Sequence, residues 1–149
     1  MSAKVSAESS EVIHRSIEDV WAFVSDPRNE PRWHTDILQI KVPGSTETPT
    51  SWRLGTTWIA TVRMMGRRDY EVEITGLDPH HRVEFTTRTG PMRPVVSYAF
   101  GVGQSGTIFT RRVEVPFEGP MRMLAPLMRR QIAKRNARFV QNLKELLER

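Results

Sequence analysis

The residues best able to do chemistry cluster around one nine-residue stretch, "TIFTRRVEV" at 107–115. Read as a strand, its side chains alternate between two faces. Thr107, Phe109, Arg111, Val113 and Val115 share one face; Ile108, Thr110, Arg112 and Glu114 share the other. The first face is the apolar one, so the pattern turns Arg111 inward. An unpaired buried charge is very costly. Arg111 therefore needs a partner, or a cavity beside it in place of packed core; a β-bulge that turns it outward is the remaining alternative. Beside a cavity, an arginine joined by the hydroxyls of Tyr70 and Tyr98 can orient a flexible molecule and stabilise an enolate. His34 can serve there as general acid or base.

Other motifs carry less. "GVGQSG" at 101–106 spells G-x-G-x-x-G, but a dinucleotide site needs a helix after the glycines, because the helix N-terminus binds the pyrophosphate. A strand follows here, so the stretch reads as a hairpin turn. His34 and Asp36 offer two metal ligands without a third or fourth. His14 is isolated, and His80 and His81 follow "DP" in a turn expected to be exposed. There is no G-x-S-x-G elbow and no nucleophile–base pair. The expectation is no metal, no cofactor and no hydrolase chemistry.

A chain of 149 residues suits a single domain, here 1–149. With 38% hydrophobic and 26% charged residues it is globular and not disordered. The absence of cysteine excludes disulfides and thiolate chemistry. The start "MSAKVSAESS" lacks the apolar region of a signal peptide, and no run approaches the ~18 apolar residues of a membrane span. A cytoplasmic location is expected. The net charge of +5 is unevenly placed: residues 1–120 balance to −1, residues 121–149 to +6.

These side chains must be positioned by a mostly antiparallel frame. Residues 3–14 alternate as a first strand, and "SIEDVWAFVSD" follows with Ser16 and Asp19 at capping-box spacing. "DPRNEPRWHTD" turns into a second short helix ending near Trp33, and 37–42 form a short strand. After the Pro/Ser/Thr-rich loop 43–52, in which Trp52 is expected to be exposed, long alternating runs begin. Trp58, Ala60, Val62 and Met64 share one face; Tyr70, Val72 and Ile74 another; then Val83, Phe85 and Thr87, and Val96, Tyr98, Phe100 and Val102. Such alternation predicts an antiparallel sheet with one wet and one covered face. The cover is a helix from about Pro120 to Glu148, with Leu124, Met128, Ile132, Phe139, Leu143 and Leu146 on its inner face. It is roughly 40 Å long.

Strand, two short helices, about six antiparallel strands and a long helix make an α+β layout. It resembles the helix-grip fold of the START-like (SRPBCC) superfamily, in its polyketide cyclase/dehydrase and lipid-transport branch. The resemblance rests on "SIEDVWAFVSDPRNEPRWH", "LGTTWIATVRMMGRRDYEVEITGLDPHHRVEF" and "RNARFVQNLKELLE". It implies a curved antiparallel sheet wrapped around the C-terminal helix, with a cavity between them. By the strand faces, the wall of that cavity is predicted to hold Trp58, Val62, Tyr70, Phe85, Tyr98, Phe100, Phe109 and Arg111. The helix adds Met128, Ile132 and Asn136, and Trp33 and His34 sit near the mouth. Ligand pockets are mostly apolar with a few placed polar groups. For each aromatic, plain core is the alternative.

The resemblance implies a protein that binds a hydrophobic small molecule, lipid or polyketide-like, for carriage, sensing or processing. The alternative it carries is an aromatase/cyclase or dehydratase acting on a polyketide intermediate. A third reading, an interaction module, rests on Arg129, Arg130, Lys134 and Arg138, a basic helix face suited to transient contact with anionic membrane. Nucleic acid is the weaker partner, since the aromatics lie with the sheet and not beside these charges.

Overall fold

The computed structural model describes residues 2–63 and 66–149; Met64, placed above on a strand face, lies outside the described residues. Strand β1 (Ser2–Ile13) leads into helices α1 (Ile17–Val24) and α2 (Glu30–Trp33), with a 3-10 turn at Pro27–Asn29 between them. Strands β2 (Ile37–Lys41), β3 (Thr57–Arg63), β4 (Arg67–Asp78), β5 (Arg82–Thr87), β6 (Val95–Val102) and β7 (Thr107–Glu118) follow, then helix α3 (Ala125–Leu147).

All seven strands form one antiparallel sheet in the order β1-β7-β6-β5-β4-β3-β2. Consecutive strands are neighbours except at one point. After β1 the chain crosses through α1 and α2 to the opposite edge, and β1 is paired last, along its whole length, by β7. The two short helices thus bridge the ends of a curved sheet. Ser16 caps α1 by accepting from the Asp19 N–H at 3.2 Å, as the spacing predicts. The register shift between Ile74 and Gly76 in β4 is a bulge that bends the sheet. "GVGQSG" is the β6–β7 turn, closed by the Gly103 N–H on the Gly106 carbonyl at 2.8 Å.

The inner face is the one the alternation predicts: Thr107, Phe109, Arg111, Val113, Val115 and Phe117 of β7 are all buried. Three readings need correction. Val102 lies at the strand end and is exposed. Trp52 is buried: its loop folds inward, and the indole packs edge-on against Trp21 at 5.4 Å and against Phe85 at 5.5 Å. The C-terminal helical segment opens as a 3-10 stretch, Gly119–Leu124, before α3. Pro126 is the cause, because it has no N–H to extend an α-helix begun earlier. Leu124, expected inside, is exposed at the junction.

Helix α3 packs on two clusters of buried side chains. The larger is aromatic: Trp33, Trp52, Trp58, Phe85, Tyr98, Phe100 and Phe109 pack with Phe139, Val140 and Leu143 of α3. The smaller joins Val5, Ala7, Met92, Val113, Val115 and Phe117 to Ala125, with Met128 and Ile132 half-buried against it.

Candidate functional site

The site lies between these clusters, under the middle of α3. A cavity of about 190 Å³ opens there. Its apolar wall comes from strand positions that alternate inward, including Trp58, Ala60, Val62, Tyr70, Val72, Phe85, Val96, Val113 and Val115. Ile132 and Phe139 roof it from α3, and Met92 and Pro94 enter from the loop between β5 and β6. That loop lies flat on Tyr70: a Cβ on Gly90, whose φ is +94°, would meet the ring at 2.3 Å.

Glu30, His34, Tyr98, Arg111 and Asn136 form one polar cluster in the wall, with Thr87, Asp36 and Arg135 elsewhere in the lining. Arg111 and Tyr98 face each other as cross-strand partners of β7 and β6. The Arg111 side chain is only 4% exposed. Its Nη1 donates to Asn136 Oδ1 at 2.5 Å, and its Nη2 donates to His34 Nε2 at 3.0 Å. Asn136 returns the contact by donating to the Arg111 carbonyl at 2.9 Å. Arginine only donates, so His34 accepts at Nε2 and its remaining proton sits on Nδ1. His34 stacks on Phe139 at 4.1 Å, and the guanidinium lies 5.1 Å from the same ring. Among the described residues four buried side-chain donors have no partner: the indoles of Trp33 and Trp52, and, within this cluster, Arg111 Nε and His34 Nδ1.

Glu30, the first residue of α2, is as deeply buried as Arg111 and accepts a short hydrogen bond from the Tyr98 hydroxyl. Burial pushes its carboxyl up to about 7, against the lowering pull of that hydrogen bond and of the Arg111 charge. Burial and the neighbouring Arg111 charge hold His34 well below the usual imidazole range, which keeps it neutral. Burial and the nearby Glu30 charge raise Tyr98 well above the usual phenol range. At the rim, Arg135 of α3 pairs with Asp36 at 3.1 Å and pins the helix to the start of β2.

Of the residues predicted to line a cavity, the structure brings His34, Trp58, Val62, Tyr70, Phe85, Tyr98, Arg111, Ile132 and Asn136 together around it. Trp33, Phe100, Phe109 and Met128 lie outside the lining. The first three are fully packed core; Trp33 sets its indole edge-on against Tyr98 at 5.3 Å and Phe109 at 5.8 Å, so it holds the polar cluster in place from behind. Met128 packs half-buried on the smaller cluster. Glu30 and the Asp36–Arg135 pair also belong to the wall. The sequence pattern offers Asp36 only as a metal ligand, and nothing in "NEPRW" marks Glu30 as buried. Arg129, Arg130, Lys134 and Arg138 are exposed on α3.

The model of the family described as polyketide cyclase / dehydrase and lipid transport matches residues 4–148. The chain belongs to that family. Among solved structures, a START superfamily protein from Mycobacterium smegmatis superposes with a TM-score of 0.74 at 13% identity, over 97% of each chain. A protein from Rhizobium leguminosarum superposes with a TM-score of 0.66 at 18% identity, over 99% of this chain and 97% of that one. DynU16, from the dynemicin biosynthetic locus, gives 0.63 at 17% identity over 96% of this chain and 47% of its own. At such identities the likeness establishes the START-like helix-grip fold and no more. No curated protein matches the sequence. Among the described residues, no helix of this family member is long and apolar enough to cross a membrane.

Proposed function

We propose that the protein binds a hydrophobic small molecule, lipid or polyketide-like, in the cavity between sheet and α3, for carriage, sensing or processing. The supporting observation is an apolar space of about 190 Å³ with one buried polar cluster in its wall. Packed interiors leave few voids larger than a water, and dry apolar cavities take up apolar guests. Native mass spectrometry of freshly purified protein tests this. A stoichiometric apolar passenger is expected, and Val113→Phe, which fills the space from β7, should remove it without lowering stability. A passenger retained by Val113→Phe would place it elsewhere on the molecule.

The enzymatic alternative, an aromatase/cyclase or dehydratase, is favoured by Glu30. A carboxyl titrating at about 7 in the cavity wall suits proton transfer at neutral pH. His34 is the poorer base, since its Nε2 already accepts from Arg111. In this reading Glu30 takes the proton, Tyr98 fixes the carboxyl, and Arg111 stabilises the enolate oxygen. Turnover of a polyketide thioester that survives Glu30→Gln unchanged would remove Glu30 from the role.

Transient contact with anionic membrane is supported by a further surface feature. Met123, Leu124 and Leu127 are exposed at the start of α3, next to Arg122, Arg129 and Arg130. Apolar side chains ringed by cations suit a headgroup boundary.

A further inference from the structure

The polar cluster is short of negative charge and of acceptors. Arg111 is permanently charged, yet both partners of its guanidinium, Asn136 Oδ1 and His34 Nε2, are neutral. Among the described residues no carboxylate forms an ion pair with it: Glu30, the buried acid of the wall, feels its charge from farther off and is hydrogen-bonded to Tyr98 instead. A buried cation without a counter-charge is strongly unfavourable. Donors are in excess as well. The guanidinium has five N–H groups, of which two are used, and its Nε is buried without an acceptor, as is His34 Nδ1. Each unmet buried donor forfeits its hydration without recompense. What the cluster lacks is an anion with several lone pairs.

Size narrows the choice. A cavity of ~150 Å³ holds benzene, and drug-sized ligands occupy about 300–1,000 Å³. At about 190 Å³ this cavity suits one ring or a medium chain. The wall away from Arg111 is aromatic and aliphatic, through Trp58, Tyr70, Phe85 and Val72.

We propose that the ligand is a small monocarboxylic acid, its carboxylate paired with Arg111 and its single ring or medium-length chain lying against Trp58, Tyr70 and Phe85. This rests on the reading of the cavity as a ligand site and names the class of molecule that site takes. The carboxylate supplies the missing charge and up to four acceptor positions, and it forms the two-pronged pair that guanidinium favours.

Matched acids and amides test it on the unaltered protein. The amide keeps the shape and an acceptor oxygen but carries no charge. Isothermal titration at neutral pH with octanoate against octanamide, and with cinnamate against cinnamamide, should show at least one acid binding tenfold or more tighter than its amide. Arg111→Gln, where it folds, should reduce that preference below about threefold. Equal binding of acid and amide in both pairs would overturn the acid while leaving the cavity as a ligand site, with Glu30 then the internal counter-charge. Failure of all four compounds to bind would overturn the acid, while the cavity reading stands or falls separately on the apolar passenger seen by native mass spectrometry.

Discussion

Arg111 divides β7 into two stretches that the same helix covers in different ways. On one side, Phe109 is fully buried among Ile13, Phe100, Val140 and Leu143, with ring centroids of Phe100 and Phe109 5.3 Å apart. On the other, Val113 and Val115 face Ala7, Ala125 and the methionines Met92 and Met128, and the cavity opens. Backbone architecture is continuous across the boundary: β1 pairs β7 from Ser2 to Ile13 without a break, and α3 is one helix. The difference is side-chain volume. A cavity here requires no missing element, only small residues on facing positions and a long helix held away from them.

Truncation in the two stretches is the sharpest way to break this contrast. Phe109→Ala should cost about 3–5 kcal/mol by urea unfolding, because its neighbours are fixed on all sides. Ile132→Ala, which faces existing void, should cost on the order of 1 kcal/mol. Equal losses would mean that the cavity is closed in solution.

The boundary itself should respond to pH. Glu30 has its carboxyl raised from 4.5 to about 7 in the folded protein, so the fold favours the protonated form. Its contribution is complete below pH 4.5 and is lost as pH rises through 7. The full loss amounts to roughly 3 kcal/mol at 1.36 kcal/mol per unit. Glu30→Gln should therefore gain on the wild type from pH 5 up to about pH 7 and level off above it, measured as the difference between their unfolding midpoints. A constant difference would mean that Glu30 stays ionised. His34 acts in the opposite sense: its lowered value favours the neutral ring, so its contribution is present above pH 6.5 and falls in acid. Taking the difference between the two proteins isolates Glu30 where His34 keeps its behaviour.

The smallest effect on stability belongs to the first turn of α3. Leu127→Ser should change stability by less than about 0.5 kcal/mol, as exposed positions do. It should still weaken binding to vesicles containing anionic lipid, and added salt should weaken it further through the arginines. Unchanged vesicle binding would confine any membrane contact to other surfaces.

Much of the frame was legible because the alternation of strands is local. Inward placement of Phe109, Arg111 and Val113 follows from period two alone, and Ser16 announces its cap by spacing. Asn136 lies one turn from Ile132 on α3, so helical spacing puts it near the same face. Glu30 was not legible: α2 has four residues, too few for a periodic face, and its burial depends on where Tyr98 arrives from a strand far along the chain. Trp52 failed for a related reason. A loop rich in Pro, Ser and Thr reads as solvent-facing, and only the curve of the sheet shows that the indole has Trp21 and Phe85 to cover.

Gly90 has one further consequence. With its loop lying on the Tyr70 ring and carrying Met92 and Pro94 into the wall, the backbone and that ring cannot shift independently. A side chain at position 90 would therefore displace the Tyr70 ring or lift the loop, and either change would reach Met92 and Pro94 in the wall.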